Sequence, residues 1–494
     1  MINLTTKSIA ILLILLISTG ISLALEKSIT IGMQLEPPNL NPTAGAAAAI
    51  DEVVYANVFE GLTRFKPDGS ITSALAESWN ISSDGLTYTF YLRSNVEFHD
   101  GTKMTASDVK FSLDRAISED STNAQKALFT DIASVTVVDK QTVKILLKTS
   151  NGDFITSLAW GDAVVVSEKT ISQAETAPVG TGPFKFSKWI KGDRVELVRN
   201  RKYWGEAIYL DKATFKFISD PTAAFAAVMA GDIDAFPVFP APENLSQFAA
   251  DPRFKVIVGS TEGETILSTN NKRPPFDKLE MRKALAHAIN REEIINGAMF
   301  GFGTPIGTHF APHNPDYLDL TANSNYDPEL SRKLIKESGY DRNTVITLKL
   351  PPPSYARRGG EIVASQLRKV GLNIEISNLE WAQWLEQVFK GKDYNLTIVS
   401  HTEPSDINIY ARPNYYFQYD SAMFQNLIKE LSGTTDPKMR STIIQKAQVM
   451  ISENYVNGYL FQLAKTGVAN KKIKGLWENS PTQANDLTHV MWSE

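Results

Sequence analysis

The sequence contains no cysteine among its 494 residues. Disulfide bonds, thiolate metal sites and cysteine nucleophiles are therefore excluded, because each of them needs a sulfhydryl group. A lipid-modified N-terminal cysteine is excluded for the same reason. Histidine is also scarce, with six residues in the whole chain.

Motifs of common hydrolases and nucleotide-binding proteins are absent as well. Neither Gly-x-Ser-x-Gly nor His-Glu-x-x-His occurs. The segment Gly180-Thr181-Gly182 lacks the Gly-Lys-Ser/Thr of a phosphate loop and fits a turn instead. With so few histidines we find no Ser-His-Asp arrangement, and we expect no catalytic residues and no cofactor.

Long apolar runs are missing except at the start of the chain. Lys7 is followed by an apolar run from Ile9 to Ile17 and then by Ser22-Leu23-Ala24. This order predicts a secretory signal peptide at residues 1–24 that is cleaved after Ala24. The run is shorter than the roughly 20 residues needed to span a membrane. We therefore expect a secreted, soluble mature chain.

The remaining bulk properties limit the partners and the architecture. The net charge of −5 is mildly acidic, which argues against binding to nucleic acid or to anionic membranes. The chain is too long for one hydrophobic core, so two or more lobes are expected.

Alternating and helical patterns of apolar residues along the chain predict an α/β protein. Ser28–Met33 alternates as a strand and ends before a proline-rich segment, and residues 46–59 are predicted to form a helix. Further strands are predicted on both sides of turn sequences such as Ser83-Asp84-Gly85. Longer helices are predicted in the second half, at 280–289, 291–299, 328–337, 359–370, 381–389, 422–431 and 437–453.

Nine short motifs occur in a defined order along the chain. They are Leu40-Asn41-Pro42, Val58-Phe59-Glu60-Gly61-Leu62, Leu75-Ala76-Glu77-Ser78-Trp79, Phe98-His99-Asp100-Gly101, Gly180-Thr181-Gly182-Pro183-Phe184, Tyr203-Trp204, Ala230-Gly231-Asp232-Ile233-Asp234, Arg282–Ile289, and Gln366-Leu367 with Val370-Gly371. With these motifs in this order and spacing, the chain resembles family 5 of the extracytoplasmic solute-binding proteins, the peptide/nickel class.

The resemblance implies a two-lobed periplasmic binding protein fold of class II with an extra subdomain, a hinge and an interlobe cleft. Lobe I would contain residues 25–265 and 468–494, with an inserted subdomain at about 60–180, and lobe II would contain residues 266–467. The protein would be a periplasmic monomer that captures a solute and delivers it to the permease and ATPase of an ABC importer. Two chain crossings between lobes would form the hinge.

The resemblance also implies candidate ligand-binding residues. Peptide-binding relatives use an arginine before a lobe II helix, and the matching segment here contains Tyr355, Arg357 and Arg358. Guanidinium groups suit a carboxylate ligand. An acidic residue later in that lobe meets the ligand's amino group, and the matching segment contains Glu403 and Asp406, with His401 in place of the usual tryptophan. Helix capping or a solvated loop are the alternative roles for these two acids.

Other candidates come from their positions along the chain. They are Glu36 and Asn39 after the first strand, Trp160 and Gly161 after Leu158, and Tyr415 and Tyr416 in an aromatic segment. Core packing is the alternative for the two tyrosines.

The identity of the solute remains open at the sequence level. Dipeptides or oligopeptides are the main hypothesis, and glutathione, a nickel complex or an oligosaccharide are alternatives within the family. A periplasmic hydrolase, or an added chaperone or chemosensory role, is the remaining possibility. His309 and His313 are four residues apart, but the prolines around them oppose a helix and we identify no acidic residue that completes a metal site. No metal site is therefore expected.

Overall fold

A computed structural model describes residues 27–45, 47–403 and 406–493. The predicted signal peptide lies outside the described residues. The strands are β1 (Ser28–Met33), β2 (Thr63–Phe65), β3 (Ile71–Ser73), β4 (Ala76–Ile81), β5 (Thr87–Leu92), β6 (Ile132–Val137), β7 (Thr142–Leu147), β8 (Phe184–Ile190), β9 (Arg194–Arg199), β10 (Lys212–Phe217), β11 (Ala235–Phe236), β12 (Phe254–Thr269), β13 (Thr304–Pro305), β14 (Val345–Leu350), β15 (Asn373–Asn378), β16 (Leu396–His401), β17 (Asn457–Asn470), β18 (Ile473–Lys474) and β19 (Met491–Trp492).

The helices are concentrated in the second half of the chain. They are α1 (Ala48–Val54), α2 (Ala106–Ile117), α3 (Phe154–Ser157), α4 (Pro221–Ala230), α5 (Leu245–Ala250), α6 (Leu279–His287), α7 (Arg291–Met299), α8 (Pro328–Glu337), α9 (Ser354–Lys369), α10 (Trp381–Trp384), α11 (Ala422–Gly433) and α12 (Pro437–Glu453). Within the described part of the chain, no helix is both long enough and apolar enough to cross a membrane.

Eleven strands form one sheet that runs through the molecule. Its order is β15-β14-β16-β12-β17-β11-β1-β10-β9-β8, with β13 paired to β17. A separate antiparallel sheet, β4-β5-β7-β6, lies within the segment predicted as an inserted subdomain. Smaller pairs are formed by β2 with β3 and by β18 with β19.

Two long antiparallel strands, β12 and β17, connect the halves of the large sheet. Their register shifts between the pairs Ser260–Ala464 and Glu264–Gln462. We call residues 27–260 and 464–493 lobe I and residues 264–462 lobe II, because the ladder is interrupted between these ranges. The boundaries predicted from the sequence, 265/266 and 467/468, lie within a few residues of this shift and remain a prediction.

Three helices begin with the same Asp-Pro pair. Asp220, Asp327 and Asp436 each accept a hydrogen bond from the backbone N–H three residues later, and a proline follows each of them. The carboxylate satisfies an amide of the first turn, and proline fits the first helical position because it lacks an N–H. These local signals explain why α12 has the bounds that the sequence predicts.

The helix predicted at 46–59 is much shorter in the structure. Helix α1 ends at Val54, Tyr55 is extended, and Ala56 adopts a positive φ of 58°. The Asn57 side chain donates to the carbonyls of Val53 and Asn485 and accepts from the Leu487 amide. The C-terminal segment thus fixes a turn where the local pattern favours a helix.

Three of the motifs that carry the family resemblance meet around one buried carboxylate. Glu60 is 4% exposed and accepts hydrogen bonds from Thr181 Oγ1, Tyr203 OH and Trp204 Nε1, each at 2.8 Å. Burial raises the pKa of Glu60, whereas the three donors and the nearby Arg64 act to lower it. Glu60 therefore links the start of lobe I to the β8 and β9 region.

His99, in another of these motifs, is held in its neutral form. The Gly180 N–H donates to His99 Nδ1 at 3.3 Å, and His99 Nε2 lies 3.0 Å from the Gly182 carbonyl, to which it donates. A proton added at Nδ1 would oppose the Gly180 N–H. Burial lowers the pKa of His99 to about 4.

We expect His99 to make the fold sensitive to acid. Between pH 6.5 and 4 the unfolded chain binds a proton that the native His99 does not, so stability falls as the pH is lowered through this window. The loss is up to about 3 kcal/mol, at about 1.4 kcal/mol per pKa unit. In His99→Gln, whose amide can both donate and accept, urea unfolding at pH 7 and 4.5 should show a smaller difference than in the wild type. An equal difference in both proteins would contradict this role.

Candidate functional site

A cavity of about 550 Å³ lies between the lobes. Lobe I contributes residues of the inserted sheet and of the neighbouring loops, among them Phe65, Tyr88 and Asp153. Lobe II contributes segments that include Phe310, Asn314, Ile407 and Arg440. The volume falls within the range of about 300–1,000 Å³ that is usual for small-ligand sites.

The lobes touch directly at one rim of this cavity. Arg440 on α12 forms an ion pair with Asp153 of lobe I and donates to the lobe II carbonyls of Leu431 and Thr434. The Gly152 N–H donates to the Ser432 carbonyl at 3.0 Å. This contact joins the inserted subdomain to the α11–α12 turn.

Several predicted site residues lie at one edge of the large sheet, where strands β14, β15 and β16 run parallel. Strand β14 pairs in parallel with both β15 and β16, so the carboxyl ends of the three strands lie at the same edge. Loops at such an edge commonly form binding sites in α/β proteins. The segments that follow β14 and β16 contain Arg357 and Asp406, respectively.

Asp406 is the centre of a buried polar cluster in lobe II. Its Oδ1 lies 2.8 Å from His309 Nε2 and its Oδ2 lies 3.2 Å from His401 Nδ1. The other ring nitrogens contact tyrosine hydroxyls: His309 Nδ1 lies 3.1 Å from Tyr410 OH, and His401 Nε2 lies 3.0 Å from Tyr416 OH. The one carboxylate therefore orients both imidazoles.

The protonation states in this cluster follow from its contacts. Burial of Asp406 acts to raise its pKa, but the charge and hydrogen bonds of His309 and His401 outweigh burial and hold the pKa well below its usual value. An ionised Asp406 accepts only, so His309 Nε2 and His401 Nδ1 donate to it, and the Tyr410 hydroxyl donates to the opposite nitrogen of the neutral His309 ring. Burial lowers the pKa of His309, which keeps its ring neutral at neutral pH.

Comparison with known proteins establishes the family. The model for bacterial extracellular solute-binding proteins, family 5 Middle, matches residues 70–420. The chain belongs to this family. It is 31% identical to the glutathione-binding protein GsiB of Pectobacterium atrosepticum over 347 residues, which cover 69% of this chain and 67% of that protein.

Other relatives of the family 5 protein extend the match. It is 27% identical over 460 residues to di/tripeptide-binding protein 1 of Pseudomonas aeruginosa, covering 84% of this chain and 85% of the relative. The structure of HbpA2 from Haemophilus parasuis matches with a TM-score of 0.85 at 24% identity, over 95% of this chain and all of that chain (100%). The expected α/β periplasmic binding protein fold is confirmed.

Four predicted site residues of the family 5 protein lie together. His401 and Tyr416 stack, with ring centroids 6.0 Å apart and planes 9° apart, and Tyr415 packs beside both of them. Asp406 completes this group through its hydrogen bond to His401. Tyr416 is almost fully buried, whereas Tyr415 is half-buried. Tyr415 is thus the tyrosine of the two that a ligand can reach more easily.

Glu403 and the predicted arginines lie outside the hydrogen-bonded cluster. Glu403 is exposed and accepts from the Thr402 N–H at 3.1 Å. Arg357 donates to Glu380 at 3.0 Å and to the Leu379 carbonyl at 3.2 Å. Arg358 is exposed and lies over the Phe300 ring, 5.3 Å from its centroid. Their role in binding stays a prediction.

Tyr355, the third predicted residue of this segment, lies beside strand β16. Its ring packs against the lobe II core. Burial raises the pKa of Tyr355 to about 12, so the hydroxyl stays protonated.

The four predicted residues of lobe I have structural contacts of their own. Glu36 accepts from Trp189 Nε1 and from the Gly192 N–H, and Asn39 accepts from the Asn41 N–H. Trp160 packs on a small apolar cluster that includes Tyr55 and Trp477. Gly161 is packed so closely that a Cβ would lie 2.2 Å from an Asp51 oxygen. None of the four lines the interlobe cavity.

The sequence interpretation missed the acidic partners of the two neighbouring histidines. His309 pairs with Asp406, and His313 Nε2 lies 2.7 Å from Glu262 Oε1. The statement that no acidic residue completes a ligand set around His309 was wrong. Glu262 and Glu264 lie two residues apart in strand β12, just before the apolar pair Ile266 and Leu267. Acidic residues next to an apolar part of a strand were a signal, because they need polar partners when buried.

Proposed function

We propose that this family 5 protein captures a peptide or a similar small organic solute in the periplasm and delivers it to the membrane permease of an ABC importer. The interlobe cavity carries this proposal, because it is large enough for a small ligand and is enclosed by two lobes joined at two strands. Such an arrangement closes around a solute by hinge motion. The names of the relatives, which bind glutathione or di- and tripeptides, support the same class of ligand.

We assign the two charged groups of a zwitterionic ligand to lobe II side chains in the segments after β14 and β16, neither of which lines the cavity itself. Both oxygens of Asp406 are used by histidines, so Glu403 is the acid we assign to an ammonium group. Arg357 is the cation we assign to a carboxylate, because its side chain is 38% exposed and the Glu380 that pairs with it is 74% exposed. A ligand carboxylate can displace an exposed pair at little cost, since such pairs contribute about 0–1 kcal/mol.

A thermal-shift screen of the purified protein tests the function. Dipeptides, tripeptides, glutathione, free amino acids, oligosaccharides and nickel complexes would each be added in excess. A ligand at about 100 times its Kd adds roughly 2.7 kcal/mol to the native state. We expect a rise in Tm of several degrees with peptides or glutathione. A rise with oligosaccharides alone would overturn the assignment of the solute class.

Substitution of Glu403 and Arg357 tests the proposed contacts. Glu403→Gln and Arg357→Ala should each raise the Kd for the ligand found in the screen by about 10- to 100-fold, because a charge-assisted hydrogen bond contributes about 1.5–3 kcal/mol. Thermal stability without ligand should change little. Isothermal titration calorimetry measures the affinity, with the exposed Glu386→Gln and Lys369→Ala as controls. An unchanged Kd in both site variants would exclude these two contacts.

A further inference from the structure

Three side chains of lobe II bring potential metal-ligand atoms into one small volume. One nitrogen of His309, one nitrogen of His401 and one oxygen of Asp406 all lie within 4.8 Å of one another. The two imidazole rings have centroids 4.9 Å apart at an interplanar angle of 72°. We propose that these three side chains form a binding site for a divalent first-row transition-metal ion such as Ni²⁺ or Zn²⁺.

The ligand set has the chemistry that such an ion requires. Two imidazoles and one carboxylate suit nickel, zinc, copper and iron, whereas magnesium and calcium prefer oxygen ligands. Three protein ligands also leave coordination positions for water or for a donor atom of a solute. His309 and Asp406 are each followed directly by a residue that lines the interlobe cavity, Phe310 and Ile407. The three ligand residues themselves do not line the cavity, and the site lies behind this part of its wall.

The second nitrogen of each imidazole contacts a polar group, a tyrosine hydroxyl, as is usual for histidines that bind a metal. A histidine that binds a metal through one nitrogen usually donates from its other nitrogen to a fixed acceptor. Here His309 Nδ1 faces Tyr410 OH and His401 Nε2 faces Tyr416 OH. Tyr410 is itself fixed by a hydrogen bond of 3.0 Å from Asn457 Nδ2. With metal bound, each ring would carry its proton on the nitrogen that faces the tyrosine, and the hydroxyls would rotate to accept it.

A second observation comes from the neighbouring strand. Glu264 on β12 pairs in register with His401 on β16, so the two side chains lie on the same face of the sheet. Glu264 is 3% exposed, and its Oε2 has no hydrogen-bond partner among the described residues. A buried carboxyl oxygen without a partner is costly, and a cation bound at the neighbouring His401 would offset part of that cost.

Binding of the ion by the protein's own side chains does not depend on which organic solute the protein carries. It also differs from capture of a preformed metal chelate. Binding of the free ion and binding of a chelate can be distinguished experimentally, because each of them can be supplied alone.

Equilibrium dialysis of the untagged, metal-free protein tests the site. The protein would be dialysed against Ni²⁺ alone and Zn²⁺ alone, without any chelating buffer, and bound metal would be counted by mass spectrometry. We expect about one ion per chain. His309→Gln and His401→Gln should each weaken binding by more than about 100-fold, since loss of an outer partner alone costs about 10- to 100-fold. The control His489→Gln, at an exposed histidine, should bind as the wild type does.

Two results would overturn the proposal. One is binding of Ni²⁺ only when it is premixed with two equivalents of free histidine, which would indicate a chelate. The other is an unchanged affinity in both site variants, which would place the ion elsewhere. Should the variants fail to fold, anomalous diffraction from nickel-soaked wild-type crystals decides the question. A peak between His309, His401 and Asp406 supports the site, and a peak only at another position, or no peak, rejects it.

Discussion

Replacement of Glu60 by leucine is expected to lower the free energy of unfolding by about 3–5 kcal/mol. Leucine accepts no hydrogen bond, so the hydroxyls of Thr181 and Tyr203 and the Trp204 indole N–H would each lose their acceptor. A buried donor without an acceptor costs about 1–3 kcal/mol. Arg64, whose interaction with Glu60 opposes the effect of burial on the carboxyl pKa, would also lose a negative neighbour. Urea unfolding followed by tryptophan fluorescence measures the change.

Two further variants separate the hydrogen bonds from the change in size and polarity. Glu60→Gln keeps one acceptor oxygen and should lose less than about 2 kcal/mol. Glu77→Leu changes an exposed carboxylate in a neighbouring motif and should stay within about 0.5 kcal/mol of the wild type. Equal stability of Glu60→Leu and Glu60→Gln would show that the three donors do not stabilise lobe I.

Replacement of Gly152 by alanine is expected to prevent the lobes from meeting as they do here. A Cβ at this position would lie 1.8 Å from Arg440 Nη1 and 2.3 Å from the Thr434 carbonyl oxygen. The arginine can move, but the carbonyl belongs to the backbone of lobe II. Overpacking of this kind costs about 1–3 kcal/mol, which disfavours the closed arrangement by about 5- to 150-fold. Small-angle X-ray scattering should show a larger radius of gyration, and the Tm rise with ligand should shrink.

The neighbouring Gly433 supplies a matched control for this prediction. It lies in the same interlobe contact, where its carbonyl accepts from Ser150 Oγ at 3.5 Å, and a Cβ there meets nothing within 4 Å. Neither Gly152 nor Gly433 has a positive φ, so alanine strains neither backbone. Gly433→Ala should therefore scatter and bind as the wild type does. If Gly152→Ala behaved in the same way, this contact would not control closure.

Much of the lobe II wall was predictable because its signals are local. The family resemblance placed His401 and Asp406 in one segment, which follows an apolar run that forms strand β16. Arg357 was expected before a helix at 359–370, but α9 begins at Ser354 and includes it in the first turn. The outcome differs for Glu36, whose carboxylate is used by Trp189 and Gly192, more than 150 residues away along the chain. No local pattern predicts such a partner.

The metal-ligand cluster also depends on a contact between residues that are far apart in the sequence. His309 and Asp406 are 97 positions apart, and His309 stands in a proline-rich segment without helical or strand periodicity. The sequence correctly opposed a helix that would pair His309 with His313. It could not indicate that the segment passes beside the end of β16.

The sequence by itself determined the α/β class, the family and the bounds of several helices, since ordered motifs and Asp-Pro helix starts depend on residues close together in the chain. It also set the absence of thiol chemistry, because no cysteine is available anywhere. Only the tertiary structure decided which acid pairs with which histidine, where α1 ends and where the lobes touch. These features depend on contacts between segments far apart in sequence, and such contacts are fixed by strand order and packing, which local residue patterns do not encode.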